Sequence, residues 1–270
     1  VPTSAAIKEL LEPLRNQPEA AAVLLDVDGT LAPIVERPEE AIVPEGIRSL
    51  LIEISGRYGL LACISGRPAT EARRMVSLGS IPYIGNHGAE LLEPGGVEPE
   101  PLGEPPAPLA EQLRRHVEEL HAPVLAPLRV AVEHKGPIVA LHWRGAPDPD
   151  QAQRALERVA EEAAAQGYAV HWGRKVLELR QPGLPDKGLG VRELLRRHGG
   201  PAVRRALYLG DERTDLDAFA ALEALREEGA LELALRVAIG SAEAPPELLE
   251  RADHVLPSQR EVSELLAALL

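Results

Sequence analysis

Two carboxylates two residues apart close an apolar run, in Leu24-Leu25-Asp26-Val27-Asp28-Gly29-Thr30-Leu31. Aspartate is disfavoured inside a strand, and in open α/β sheets ligands bind at the carboxyl ends of the strands. One carboxylate so placed can attack phosphorus to form an acyl phosphate, while a second protonates the leaving oxygen and later activates water. Asp26 is read as the nucleophile and Asp28 as the acid/base. Asp28-Gly29 by itself would also serve as an ordinary turn, but a turn does not account for Asp26.

Two further segments have polar groups at the ends of apolar runs, and a third holds a lysine directly after a break rich in proline and glycine. Ile64-Ser65-Gly66-Arg67-Pro68 offers a hydroxyl for a phosphoryl oxygen at the start of a helix whose free amides favour an anion, although serine before a helix is also a common cap. Leu207-Tyr208-Leu209-Gly210-Asp211-Glu212-Arg213-Thr214-Asp215 packs acids of the kind that hold Mg²⁺. Asp211 would join Asp26 on the metal, and Asp215 is counted with them among the metal-holding residues. Asp215 and Asp217 could equally complement a helix N-terminus. Lys187 is one of only four lysines in a chain that otherwise uses arginine, and a compact point charge suits a transferring phosphoryl group.

These residues need a scaffold that brings strand ends together. Apolar β-rich runs (Val23 to Val27, Leu60 to Ile64) alternate with amphipathic stretches, which predicts a parallel sheet covered by helices. Two breaks rich in proline and glycine, Glu93 to Pro108 and Gln181 to Asp186, interrupt that rhythm. Between them the pattern reads α-β-β-α-β-β: a helix over about 109–121, strands over Val130 to Lys135 and Ile138 to Arg144, a helix over about 148–166, and two strands around Gly173-Arg174. The expectation is an α/β core over 1–108 and 182–270 with an inserted cap over 109–181. In the second core segment helices are expected from Gly188 to about His198, from Thr214 and near Ser258 to Leu269, with strands at Ala206 to Leu209 and Arg236 to Ile239.

Composition narrows the partners. A net charge of −13 over 270 residues leaves no surplus for a basic face, which argues against nucleic acid and anionic membranes. Hydrophobic residues make up 45% and aromatics 3%, so alanine and leucine must fill the core. The single cysteine, Cys63, cannot form an internal disulfide and reads as buried filler in a reducing, cytoplasmic protein. No run resembles a signal peptide or a membrane span. Abundant Pro and Arg would suit either a heat-adapted source or a GC-rich genome.

In order and spacing, the four segments resemble the motifs of the haloacid dehalogenase superfamily of phosphohydrolases. Finer matches, Gly85-Asn86-His87-Gly88-Ala89-Glu90, Glu133-His134-Lys135-Gly136, His142-Trp143-Arg144 and Gly173-Arg174-Lys175-Val176-Leu177-Glu178, resemble the trehalose-6-phosphate phosphatase family. The resemblance implies a Rossmann-like core with an α/β cap, and Mg²⁺ held by Asp26, Asp211 and the backbone carbonyl of Asp28. It implies sugar contacts from the cap through Glu133, Lys135, Arg144 and Glu178, with Arg174 where the family carries lysine. Arg67, Asn86 and His87, which lie in matched segments, are counted with the substrate-binding residues. Strand periodicity agrees in placing Glu133 with Lys135, and Arg174 with Glu178, on shared faces. The chain departs from the family pattern at Glu212 and Leu216, which stand where it carries Asp and Glu. A trehalose-phosphate synthase of the same pathway is the partner implied. Rival readings are a phosphatase of sucrose phosphate or mannosyl-3-phosphoglycerate, a phosphohexomutase, and a non-catalytic sugar-phosphate sensor.

Overall fold

A computed structural model describes residues 4–270 apart from 36, 38–39, 104–111, 114, 116, 119–121, 136–137, 174, 182, 201 and 242–243. The chain forms two compact units, one of residues 1–102 and 185–270 and the other of residues 103–184. The crossings fall a few residues away from the boundaries expected at 108 and 181. The first break is not all connector, since Glu100–Pro101 pairs as an edge strand of the first unit. The helix expected over about 109–121 lies largely outside the described residues.

The first unit begins with helix α1 (Ser4–Arg15) and strand β1 (Ala21–Asp26), followed by α2 (Glu45–Arg57), β2 (Leu60–Ile64), α3 (Ala69–Val76), β3 (Tyr83–Gly85), β4 (Glu90–Leu92) and β5 (Glu100–Pro101). The second unit contains β6 (Ala131–Lys135), β7 (Ile138–His142), α4 (Pro149–Ala165), β8 (Ala169–Gly173) and β9 (Val176–Arg180). The first unit then resumes with α5 (Lys187–Leu194), β10 (Arg205–Gly210), α6 (Asp215–Glu227), β11 (Leu233–Ile239), α7 (Pro246–Arg251), β12 (His254–Leu256) and α8 (Val262–Leu269). The helix expected to reach His198 ends at Leu194, and a π-helical turn over Leu195–Gly199 continues it. The β3, β4 and β5 strands had no sequence signal because none exceeds three residues.

The large sheet has the order β12-β11-β10-β1-β2-β3-β4-β5, parallel from β12 through β3, with β4 and β5 antiparallel at the edge. Every residue of β1 is buried because both faces are covered, which is why this strand reads as a continuous apolar run. Ala21, Val23 and Leu25 pack with residues of α1, α2, α3 and α8. Ala22 and Leu24 face the opposite way and pack with residues of α5, α6 and α7. By the period of two, Asp26 falls on the α5/α6 face. The chain leaves β1 toward β2 on one side, while β10 occupies the other, so the carboxyl end of β1 is a topological switch point.

The second unit is a four-stranded antiparallel sheet in the order β6-β7-β9-β8. Leu177, Leu179, Val139 and Leu141 pack against Leu156, Val159 and Ala163 of α4. Trp143 and Trp172 meet edge to face at 5.7 Å. Among the described residues no helix is long and apolar enough to cross a membrane.

Cys63 lies in β2 with no solvent exposure, and burial first and the charge of Asp26 second push its thiol well above the ordinary range. The folded protein should therefore leave a thiol reagent such as DTNB unreacted at pH 8 and release one equivalent only in denaturant. Rapid reaction of the native protein would show that this sheet is not packed as described.

Candidate active site

The sheet delivers Asp26 to the switch point, and the first turns of two helices meet it there. Lys187, the first residue of α5, is fully buried. Its Nζ donates to Asp26 Oδ1 at 2.7 Å and to Asp215 Oδ1 at 2.8 Å, and lies 3.0 Å from Glu212 Oε1. The start of α5 is fixed by Asp186, whose side chain accepts from the Leu189 amide at 2.8 Å. Gly88, at φ 109°, lets the 86–88 turn approach this cap, because a Cβ there would stand 1.9 Å from the Asp186 carbonyl oxygen.

Asp215 opens α6 and is also fully buried. Its Oδ1 accepts from Lys187 and from the Tyr208 hydroxyl at 2.6 Å. Its Oδ2 accepts from the backbone amides of Asp211 at 2.8 Å and Glu212 at 2.9 Å. Gly210 makes room for this carboxylate, since a Cβ there would lie 2.3 Å from its carbon. Thr30 Oγ1 reaches Asp211 Oδ1 at 3.5 Å. Tyr208 was not singled out by sequence; the alternation of β10 gives its face but not its partner seven residues on.

Negative charge is in excess here. Asp26, Asp211, Glu212 and Asp215 surround one lysine. Burial raises the pKa of Asp26 well above the ordinary carboxylate range; Lys187 opposes this, and Asp215, Asp211 and Glu212 add to it. Burial also disfavours the charge on Lys187, but Asp215 and Asp26 more than offset it and hold the pKa well above normal. Glu212 resists burial and is lowered to about 2, chiefly by Lys187 and then His87.

One carboxylate oxygen from each of Asp26, Asp211 and Asp215 lies within 4.8 Å of the others. Asp26 Oδ2 is buried without a hydrogen-bond partner. An orphaned carboxylate oxygen among hard oxygen donors with surplus negative charge fits a divalent cation such as Mg²⁺.

The second segment forms the opposite wall. Ser65 is buried, and its Oγ accepts from the Arg67 amide at 3.0 Å. The Arg67 guanidinium grips Asp28 with two bonds of 2.7 Å, Nε to Oδ2 and Nη2 to Oδ1, and also pairs with Glu71. Arg67, expected among the substrate contacts, is thus engaged with the acid/base candidate. The amide of Ala69 at the start of α3 is bound by Glu90 Oε1 at 2.6 Å, so an internal carboxylate takes that helix-start position expected for an outside anion. Asn86 and His87 both adopt left-handed backbone, and their amides donate to the carbonyls of Arg67 and Ser65. The His87 ring packs over Gly66, where a Cβ would come within 2.4 Å of it.

In the second unit, the pairing register puts Glu133, Ala140, Glu178 and His171 in one row across the sheet. This is the face opposite the one packed on α4. Glu133 is exposed and bonds His142 Nε2 at 2.8 Å, and buried Glu178 pairs with Arg180 at 2.5 Å. Lys135 occupies the next row by register. Arg144 is exposed in the turn after β7, which ends two residues earlier than expected, at His142. Arg174 lies outside the described residues. The strand of Glu178, β9, begins at Val176.

Comparisons with known proteins bear on the fold and the family. A family model described as Trehalose-phosphatase matches residues 24–244. A Sinorhizobium fredii protein described as a probable trehalose-phosphate phosphatase is 32% identical over 268 residues, covering 97% of this chain and 92% of its own. A Mycobacterium tuberculosis protein described as an uncharacterized glycosyl hydrolase is 36% identical over 214 residues, covering 74% of this chain. The chain spans only 15% of that longer relative. Among solved structures, the C-terminal domain of trehalose-6-phosphate phosphatase from C. albicans has the same fold, with a TM-score of 0.76 at 22% identity, over 97% of this chain and 96% of that one. With its family model matched from the end of β1 to beyond β11, the chain belongs to the trehalose-phosphatase family.

Proposed function

We propose that the protein is a Mg²⁺-dependent phosphatase that hydrolyses trehalose 6-phosphate to trehalose and inorganic phosphate through an aspartyl phosphate on Asp26. The observation that carries this reading is the state of Asp26: one oxygen is held by Lys187 while the other is buried without a partner, at the switch point of the sheet. Family membership supplies the substrate class.

Asp26, Asp211 and the backbone carbonyl of Asp28 would hold Mg²⁺, which when bound neutralises phosphoryl oxygens and the charge of the surrounding carboxylates. Lys187 holds Asp26 in place and supplies the nearby protein cation, and Ser65 donates to a phosphoryl oxygen. Asp26 oxygen bonds to phosphorus as the bond from phosphorus to the sugar oxygen breaks, and Asp28 gives that oxygen its proton. Asp28 then takes a proton from water, whose oxygen attacks phosphorus. The acyl phosphate cleaves, phosphate leaves and Asp26 returns as a carboxylate. The Arg67 fork occupies both oxygens of Asp28, so Asp28 must part from Arg67 before either oxygen can reach the sugar oxygen. Glu133, Lys135, Arg144, Arg174 and Glu178 are assigned to the sugar hydroxyls. We place the enzyme in the cytoplasm, downstream of a synthase that makes its substrate.

Phosphate release from trehalose 6-phosphate should require Mg²⁺ and exceed release from glucose 6-phosphate, sucrose 6-phosphate and mannosyl-3-phosphoglycerate. Asp26→Asn should lower kcat by at least roughly 10⁴-fold, the scale of losing a nucleophile. Preference for another sugar phosphate would overturn the substrate assignment, and appearance of an isomeric sugar phosphate would indicate a mutase. No turnover of any of them would favour the sensor.

Glu133 is exposed, so Glu133→Gln, which keeps a side-chain oxygen for His142, should leave folding intact and test the sugar contact. Losing a charged hydrogen bond of about 1.5–3 kcal/mol should lower kcat/KM roughly 10- to 100-fold, mainly through KM. An unchanged KM would remove Glu133 from the substrate site.

A further inference from the structure

Asp215 sits beside the residues proposed to hold the metal, yet its carboxylate is fully subscribed. An ionised carboxylate offers about four lone-pair sites. At Asp215 four donors take them: Tyr208 Oη and Lys187 Nζ on Oδ1, and the amides of Asp211 and Glu212 on Oδ2. Asp26 differs, because its Oδ2 has no such partner.

Tyr208 is the one among the four donors that approaches from the middle of the core. It lies on β10 between Leu207 and Leu209, has no solvent exposure, and its ring meets Phe219 of α6 edge to face at 6.0 Å. A packed aromatic ring with two rotatable side-chain bonds holds its hydroxyl at a defined point. The bond from Tyr208 to Asp215 therefore ties the end of β10 to the first residue of α6. It closes the 210–214 connection that carries Asp211 and Glu212.

We propose that Tyr208 is a positioning residue for the catalytic centre: its hydroxyl fixes Asp215, which serves as a brace for Lys187 and the Asp211 loop and stays outside the metal's own ligands. This rests on the reading of Asp26 and Asp211 as metal-holding residues, but not on which sugar phosphate is cleaved. With the hydroxyl gone, Asp215 Oδ1 loses its anchor to the strand. The carboxylate is then free to turn between Lys187 and the cation, and the amide of Asp211 turns with it.

The test is Tyr208→Phe in the full chain, with Phe219→Leu as a control that loosens the same ring packing and keeps the hydroxyl. Mg²⁺ binding to the substrate-free protein is measured by calorimetry, beside kcat, KM and melting temperature. Tyr208→Phe should weaken Mg²⁺ binding and lower kcat, each about tenfold, the loss expected for one hydrogen bond to a charged group, with KM within about twofold. Phe219→Leu should lower the melting temperature and leave the Mg²⁺ affinity within about twofold.

The proposal fails if Tyr208→Phe binds Mg²⁺ as the parent does while only its melting temperature falls. It fails equally if Phe219→Leu shifts the affinity as much. Absence of turnover in the parent would defeat the phosphatase reading and leave the Mg²⁺ comparison able to decide this one. A parent that binds no Mg²⁺ would overturn both.

Discussion

A lysine with no solvent exposure sets the terms for everything around it. A buried ammonium is tolerated only with excellent geometry and its protons satisfied, and Lys187 meets that demand with Asp26, Asp215 and Glu212. These partners sit at the end of β1, the first residue of α6 and the loop before it. All must arrive within about 3 Å of one nitrogen, so the helices α5 and α6 have little freedom to slide over the sheet. Removing one partner of a buried ion pair typically costs about 3–5 kcal/mol, a large share of a domain's net stability. The arrangement that aims Asp26 is thus also one that the fold cannot relax without cost.

The two units divide different kinds of work. The first concentrates acids and one lysine at a switch point where backbone and side chains are almost wholly buried. The second presents a sheet face on which Glu133, Glu178, His171 and His142 replace the aliphatic residues of the opposite face. The sugar recognition proposed for that face would ask for a few placed polar groups on a firm support. The helix-backed sheet and the edge-to-face tryptophans supply such a support.

Sequence revealed the site unevenly, for physical reasons. Asp26 stood out because an acid in an apolar strand conflicts with local preference, and Asp211 for the same reason at the end of β10. Lys187 was visible as a scarce residue type, but its partners were not, since Asp26 lies 161 positions away and Asp215 28. The fork between Arg67 and Asp28 spans 39 positions and was equally hidden, so Arg67 was read with the substrate alone. Period and turn chemistry gave the parallel core and the two strand pairs of the insert, but not the direction in which those strands pair. They did not give β3, β4 and β5, too short for any periodicity, or the start of the strand of Glu178 at Val176.

The strand that carries Asp26 is hydrogen-bonded on one side to β2, which follows it closely, and on the other to β10, which follows the whole inserted unit. A chain emerging from the ribosome therefore holds β1 with one edge unpaired, and Asp26 without its lysine, until the whole inserted unit has been made. Pairings of such long sequence separation form late and slowly, and an open apolar strand edge invites association with other chains. The second unit, by contrast, is contiguous in sequence and joins its strands by antiparallel neighbours. It can acquire its structure during the interval in which the first unit waits for its remaining strands, so the inserted unit is the earlier of the two to mature although it is begun second.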